Sequence, residues 1–307
     1  MTVGVALAAL NDGNQIDATV RLAREAAEAG LRSAWFGQTF GADSPQLAAI
    51  VGREVPDLQV GTSAIPVFGR HPLTVSSQAQ TAQAATHGRY HLGLALGSKF
   101  LTEPGFGIPF ERPIARLREF LIALRQLTET GTADFHGELL TATTPAPARV
   151  PGAEGGVPLL VAAMGPQALR VSGELADGIL PFLAGPRALA EHIVPAVTAA
   201  AEAAGRPAPR IVAIIPGVVT DDVDSAREKF TEQLALYEQI PSYVRVVERS
   251  GAKRAADVAV IGDEETVADE VRRFREAGAT EVVFSRTDIA GEADRRRTLA
   301  LLGELAS

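Results

Sequence analysis

Not one of the 307 residues is cysteine. That absence excludes disulfides, a thiol nucleophile and any thiolate-ligated metal, and it suits a reducing compartment such as the cytoplasm. Basic residues are in deficit as well: 29 Lys and Arg stand against 37 Asp and Glu, a formal net charge of -8. With no basic run to offset the surplus, nucleic acid is a poor partner. The densest basic cluster, Arg295 to Arg297, lies among acids on a terminal helical stretch and reads as a solvated face. No apolar run approaches the ~18 residues of a membrane span. The opening TVGVALAAL lacks the basic flank of a signal peptide and reads as a first strand. What remains is a globular composition, 46% hydrophobic and 21% charged, long enough to bury a sizeable core.

Within that composition, short apolar runs alternate with helical patterns. The runs at 2 to 9, 33 to 37, 58 to 65 and 90 to 97 are each followed by a helical stretch or a small-residue loop. In the first helix Ile16, Val20, Ala23 and Ala27 form one stripe that stops at Gly30. Ser44 and Pro45 read as the cap and first residue of the second. Four more runs follow at 158 to 163, 178 to 183, 210 to 219 and 281 to 285, with helices expected at about 113 to 130, 166 to 176, 186 to 204, 222 to 237, 264 to 278 and 291 to 305. Strands apolar on both faces, each linked to the next through a helix, imply a parallel sheet covered by helices. Eight βα units in this length fit a (β/α)8 TIM barrel, with insertions after strands 4 and 7, better than an open doubly wound sheet. No composition shift divides residues 1 to 307, so one domain is expected. The segment AVIGDEE reads as the start of a helix and not as a ninth strand.

In such a barrel the chemistry lies at the C-terminal ends of the strands. That rule nominates Gly37, Gln38 and Thr39; Ser63, Ala64 and Ile65; Gly97, Ser98 and Lys99; Ala163, Met164, Gly165 and Pro166; and Pro181, Pro216, Ser285, Arg286 and Asp288 from the later strands. The set is poor in acids, histidines and metal-ligand clusters, so no metal site is expected. Scarcity of protein acids and bases points to a cofactor that carries the chemistry itself. Gly165 and Pro166 open a helix whose N-terminal amides favour a phosphate, although an ordinary βα turn has the same look. Arg70-His71-Pro72 is conspicuous, but His71 lies well beyond the strand end and reads as a structural residue at the start of a helix. Arg286 sits past strand eight, where it either pairs with Asp288 or anchors an anionic group. Glu103, Phe100 and Phe106 fall in a loop after strand four that reads as a lid or substrate wall.

Three segments, VGTSAIPVFGRHPLTVSSQAQTAQAATHGRYHLGLALG, VPLLVAAMGPQALRVSGELADGILPFL and AVIGDEETVADEVRRFREAGATEVVF, together resemble the bacterial-luciferase-like superfamily. The nearer branch is that of the oxidoreductases using the deazaflavin coenzyme F-420, found mainly in actinobacteria and methanogens. The resemblance covers nearly the whole chain. It implies that Ser63, Ala64 and Ile65 belong to a bulge in the third strand beneath the deazaflavin ring, with a cis peptide between Ser63 and Ala64. It assigns Gly97 and Ser98 to the same ring, and Ala163, Met164, Gly165, Pro166 and Gln167 to the phosphate-bearing side chain. Many relatives carry an acid after strand two where this chain has Gln38, so Gln38 is expected to hydrogen-bond the coenzyme or a substrate oxygen. Gln38 and Glu103 are the only catalytic candidates; Phe100, Phe106 and Arg286 are the substrate candidates. The implied activity is hydride transfer at carbon 5 to or from a small, mostly apolar organic substrate, in a cytoplasmic homodimer. An FMN-dependent monooxygenase with a separate reductase, and a flavin-binding barrel without turnover, are the alternatives.

Overall fold

The computed structural model describes residues 2–7, 13–38 and 40–306. Eight parallel strands close into a barrel: Thr2–Ala6, Ser33–Phe36, Gln59–Thr62, Tyr90–Ala95, Leu159–Ala162, Gly178–Ile179, Arg210–Val219 and Glu281–Ser285. Each pairs with the next in sequence, and the eighth returns to the first with Thr2 opposite Glu281. The expected TIM barrel is present. Residues 8 and 9 of the first apolar run lie outside the described residues, as does Thr39.

Alternation along the strands sorts side chains into an outer set under the helices and an inner set stacked in layers. On strand eight Val282 and Phe284 join the large core beneath the helices. Glu281, Val283 and Ser285 therefore face inward, at the bottom, middle and top. The middle layer is apolar and well filled, with Trp35, Leu160, Leu180, Val212 and Val283. Gly61 and Gly93 make room for it: a Cβ on Gly61 would lie 2.5 Å from the Trp35 ring, and one on Gly93 would lie 1.9 Å from the Thr62 carbonyl oxygen.

The bottom layer is polar. Glu281, 1% exposed, accepts hydrogen bonds from the Ser33 hydroxyl, from Trp35 Nε1 at 2.8 Å and from Arg210 at 3.0 Å. Arg210 donates its other nitrogen to His91 Nε2 at 3.0 Å, so that ring nitrogen is the acceptor and the imidazole is neutral. Burial, and then the Arg210 charge, push the His91 pKa down to about 3 from 6.5. Below about pH 6.5 the unfolded chain thus takes up a proton that the folded barrel refuses. Stability is lost as pH falls toward 3, by about 2 kcal/mol between pH 7 and 5. Urea unfolding at pH 7 and pH 5 checks this: His91→Gln should flatten the decline by about that amount, and an equal decline in both proteins would refute it.

Three local expectations need correction. The second helix is capped by Asp43, whose carboxylate accepts from Gln46 N at 3.2 Å, with Ser44 inside the helix. The lid segment after strand four is not a loop throughout; Lys99–Phe106 is helical and ends at Gly107, whose φ of 66° lies in the left-handed region. A ninth strand does exist, since Val260–Gly262 pairs in parallel with Gly217 to Val219. Strand seven outruns strand six, whose contact with it ends at the Phe182 bridge to Ile214. Its last amides on that edge need another partner, and the segment before the Glu264–Glu276 helix supplies it, with Thr220 N donating to Gly262 O at 2.9 Å. Between these two strands, helix Val223–Leu234, the turn Ala235–Gln239 and helix Pro241–Arg249 pack around Phe230, Leu234 and Val247 as a roof over the ends of strands six to eight.

Candidate functional site

The upper inner layer is made mostly of small residues. Ala6, Ala64 and Ala162 pack on the apolar middle layer beside Phe182 and Ile214, and alternation adds Ala95 and Ser285. Small side chains at this level leave a shallow concave floor at the C-terminal mouth, broad enough in chemical character for a flat, mostly apolar ring. One side of the floor is shaped by an irregularity in strand three. Gly61 pairs with His91 and Ile65 with Leu94, so four steps of strand three oppose three of strand four. That one-residue excess is a β-bulge. The Thr62 hydroxyl accepts from Gly93 N and donates to Gly93 O, both at 2.9 Å, replacing the ladder bonds the bulge removes. Within the bulge the Ser63 to Ala64 peptide is cis.

Around this floor the nominated residues divide. Gly97, with φ 77°, and Ser98 lead from strand four into helix Lys99–Phe106. Ser98 occupies the cap position but does not cap the helix; its hydroxyl is buried without a hydrogen-bond partner. Ser285 Oγ, at the end of strand eight, is likewise buried and unpartnered. Ala163 and Met164 follow strand five, and Gly165 precedes helix Pro166–Leu175. No side chain caps that helix, and Pro166 has no amide, so the amides of Gln167 and Ala168 are left without intrahelical partners. No heavy atom lies within 4 Å of a Cβ built on Gly165, so the turn is open above it. Beside it runs a groove of about 480 Å³ lined by Ile114, Arg118, Pro166, Gln167, Arg170 and Val171. Sequence patterning missed the two arginines, because they lie on different helices and only the packing of the helices brings them together.

Other candidates are committed to the protein itself. Gln38 Oε1 accepts from Ser44 N, Ser44 Oγ and Arg70 at 3.0, 2.9 and 3.1 Å, while its amide nitrogen donates to Ala42 O at 3.3 Å. Arg70 also pairs with Asp43 at 3.1 Å. Gln38 is therefore a brace between the loop after strand two and the RHP segment. Glu103 accepts from Phe110 N at 3.1 Å and faces Lys99 at 3.8 Å, which fixes the end of its own helix. His71 caps helix Pro72–Ala85 through Nδ1 and reaches Thr141 O through Nε2 at 2.9 Å, a structural role on both nitrogens. Phe106 packs with Phe40, their centroids 6.0 Å apart, whereas Phe100 is 63% exposed. Arg286 is half-buried, and among the described residues it forms no ion pair with Asp288 or any other acid; it donates to Gln233 Oε1 at 2.7 Å. Among the described residues no group of three or more His, Asp or Glu is arranged to hold a metal ion, and no helix is long and apolar enough to cross a membrane.

Comparison with known proteins agrees with this arrangement. A family model described as luciferase-like monooxygenase matches residues 1–281. An F420-dependent glucose-6-phosphate dehydrogenase of Rhodococcus erythropolis is 30% identical over 270 residues, spanning 82% of this chain and 78% of its own length. Two solved structures share the fold. A coenzyme F420-dependent tetrahydromethanopterin reductase from Methanopyrus kandleri superposes with a TM-score of 0.78 at 22% identity, covering 99% of this chain and 97% of its own. An F420-dependent secondary alcohol dehydrogenase in complex with an F420-acetone adduct gives 0.82 at 18% identity, with the same coverage.

Proposed function

Because the chain belongs to the luciferase-like monooxygenase family, we propose that it is an oxidoreductase that binds the deazaflavin coenzyme F-420 across the barrel mouth and exchanges hydride with a small organic substrate. The observation that carries this reading is the juxtaposition of a small-residue floor with an uncapped helix N-terminus at the same rim. The residues present fit such a coenzyme. Ala64, Ala95 and Ala162 leave room for a planar ring, and the bulge from Gly61 to Ile65 would border it. The unpartnered Ser98 hydroxyl offers a donor near strand four. A phosphate fits the free amides of Gln167 and Ala168, where Gly165 lets it approach closely and the helix dipole favours its charge. Arg170, beside that turn, adds positive charge to an otherwise acidic protein, while Arg118 on the same groove is paired with Glu174.

When bound, the deazaflavin supplies hydride exchange at its carbon 5. The protein's own part is to orient and to exclude water. Apolar layers below the floor keep solvent from the buried face of the ring, Gln38 and Arg70 brace the rim, and helix Lys99–Phe106 brings Phe106 over Gly69 at the side of the mouth. Gln38 and Glu103 then act by holding loops and not as proton donors. A homodimer belongs to the same reading through the resemblance, and a cytoplasmic location accords with the absence of cysteine.

Titration with the two coenzymes tests it. F-420 should bind in the micromolar range or tighter, and FMN at least about 100-fold more weakly, a difference of about 2.8 kcal/mol. Tight FMN binding with no response to F-420 would instead indicate a flavin-dependent monooxygenase. Binding of F-420 with no absorbance change for any added alcohol, aldehyde or enone would indicate a carrier without turnover.

A further inference from the structure

We infer that the end of the eighth strand forms an oxyanion site for the substrate, in which the Ser285 hydroxyl and the Arg286 guanidinium bind the carboxylate or phosphate group of a small organic molecule. This rests on the reading of the mouth as the place of hydride exchange. Ser285 is the uppermost inward residue of its strand, above Val283 and Glu281, so its side chain belongs to the floor. Its hydroxyl is buried and makes no hydrogen bond within the protein. A buried polar group of this kind calls for a partner that the protein does not supply.

Arg286 follows directly, with φ 57°, a conformation that side chains other than glycine rarely adopt. Backbone strain of this sort collects where a side chain must be held in a particular direction. Here it accompanies a guanidinium at the seam between floor and roof, bonded to Gln233 at the end of the roof helix Val223–Leu234. Gln233 is a neutral partner. The Arg286 hydrogen bond to Gln233 is solvent-exposed, and among the described residues no carboxylate pairs with the guanidinium, whereas Arg70, Arg125, Arg206 and Arg295 each pair with an acid. A fork of N–H donors on the residue next to a free hydroxyl suits an oxyanion in charge.

On the other side of strand seven from this pair, at the end of strand six, stands an aromatic cluster. Phe182, inward at the top of strand six, meets Tyr237 and Tyr243 of the roof at centroid distances of 5.1 and 6.0 Å, and the two tyrosines meet at 4.8 Å. The substrate class is therefore an organic anion with an apolar body, its charged group at Ser285 and Arg286 and its body against Phe182. The plain alternative is that Arg286 only ties the roof to the floor. In that case it contributes to stability and has no preference for anions.

Calorimetric titration of the full chain without coenzyme separates the two, using benzoate, phenyl phosphate and the neutral benzyl alcohol as probes. At least one oxyanion should bind at least about tenfold more tightly than benzyl alcohol, and the tighter of the two identifies carboxylate or phosphate as the group preferred. Arg286→Met should erase the preference, Arg286→Lys should keep part of it, and Ser285→Ala should weaken it by about threefold. F-420 affinity should change less than about twofold in Arg286→Met. Equal binding of charged and neutral probes, no binding of either oxyanion, or a preference that survives in folded Arg286→Met would overturn the site. So would loss of F-420 affinity in Arg286→Met, which would give the guanidinium to the coenzyme. Because the probes are titrated without coenzyme, failure of this site leaves the coenzyme reading intact, and failure of F-420 to bind leaves the probe result intact.

Discussion

Glu281→Ala should lower the unfolding free energy by about 3–5 kcal/mol. The carboxylate is enclosed at the bottom of the barrel, where both oxygens are in use: one takes Ser33 and Trp35, the other Arg210. Removing it strands three donors. Arg210 is left 34% exposed with no acid beside it, facing only the neutral imidazole of His91. The loss of volume adds a cavity in a region so close-packed that a Cβ on Gly4 would lie 2.0 Å from the Ser33 hydroxyl. Glu281→Gln should cost less, because the amide keeps the shape and one acceptor while giving up the charge. A double replacement, Arg210→Met with Glu281→Leu, should recover part of the loss, since buried ion pairs often break even with well-packed apolar residues. Urea denaturation with the slope m monitored measures all three. A cost for Glu281→Ala below about 1 kcal/mol would mean that water satisfies these donors and that the layer is not closed.

The second large effect concerns binding and not stability. Gly165→Phe should leave the melting temperature within about 2 °C of the parent and weaken F-420 binding at least about 100-fold. The backbone at Gly165 is extended, with φ -87° and ψ 151°, which any residue adopts. Nothing lies within 4 Å of its Cβ position, so a ring there enters open space and not a neighbour. That open space is where the phosphate would meet the amides of Gln167 and Ala168. Coenzyme fluorescence titration beside a thermal melt reads both quantities. Unchanged affinity in a folded variant would remove the phosphate from this turn and leave the groove beside Arg118 and Arg170 without a coenzyme role.

These two sites differ in how they could be read from residues alone. The turn at Gly165 is local: an apolar run, then Gly and Pro, then a helical pattern, all within about ten positions. The Glu281 cluster joins Ser33, Trp35, His91, Arg210 and Glu281, the first and last of them 248 positions apart. No spacing rule connects them. Gln38 shows the same limit from the other side. Its place at a strand end nominated it for the coenzyme, but Ser44 and Arg70 occupy its oxygen, and Arg70 arrives from the loop after strand three. Ser285 was on the rim by position, yet nothing in EVVFS distinguishes a hydroxyl that is satisfied from one that is not.

What the residues determine by themselves is the alternation of strands and helices, because period and turn chemistry act over a few positions and need no partner. Eight apolar runs separated by helical stretches, in a chain without cysteine, basic tracts or spanning segments, leave a closed parallel barrel as the natural arrangement. The tertiary structure decided where one residue of strand three is extra, which amides of strand seven lacked a partner until Val260–Gly262 supplied one, and which polar side chains were used up before a ligand arrives. Those outcomes depend on register and on packing between distant segments. Each is settled by whether a buried donor or acceptor finds a partner across the barrel, a balance of a few kcal/mol per group that local sequence does not encode.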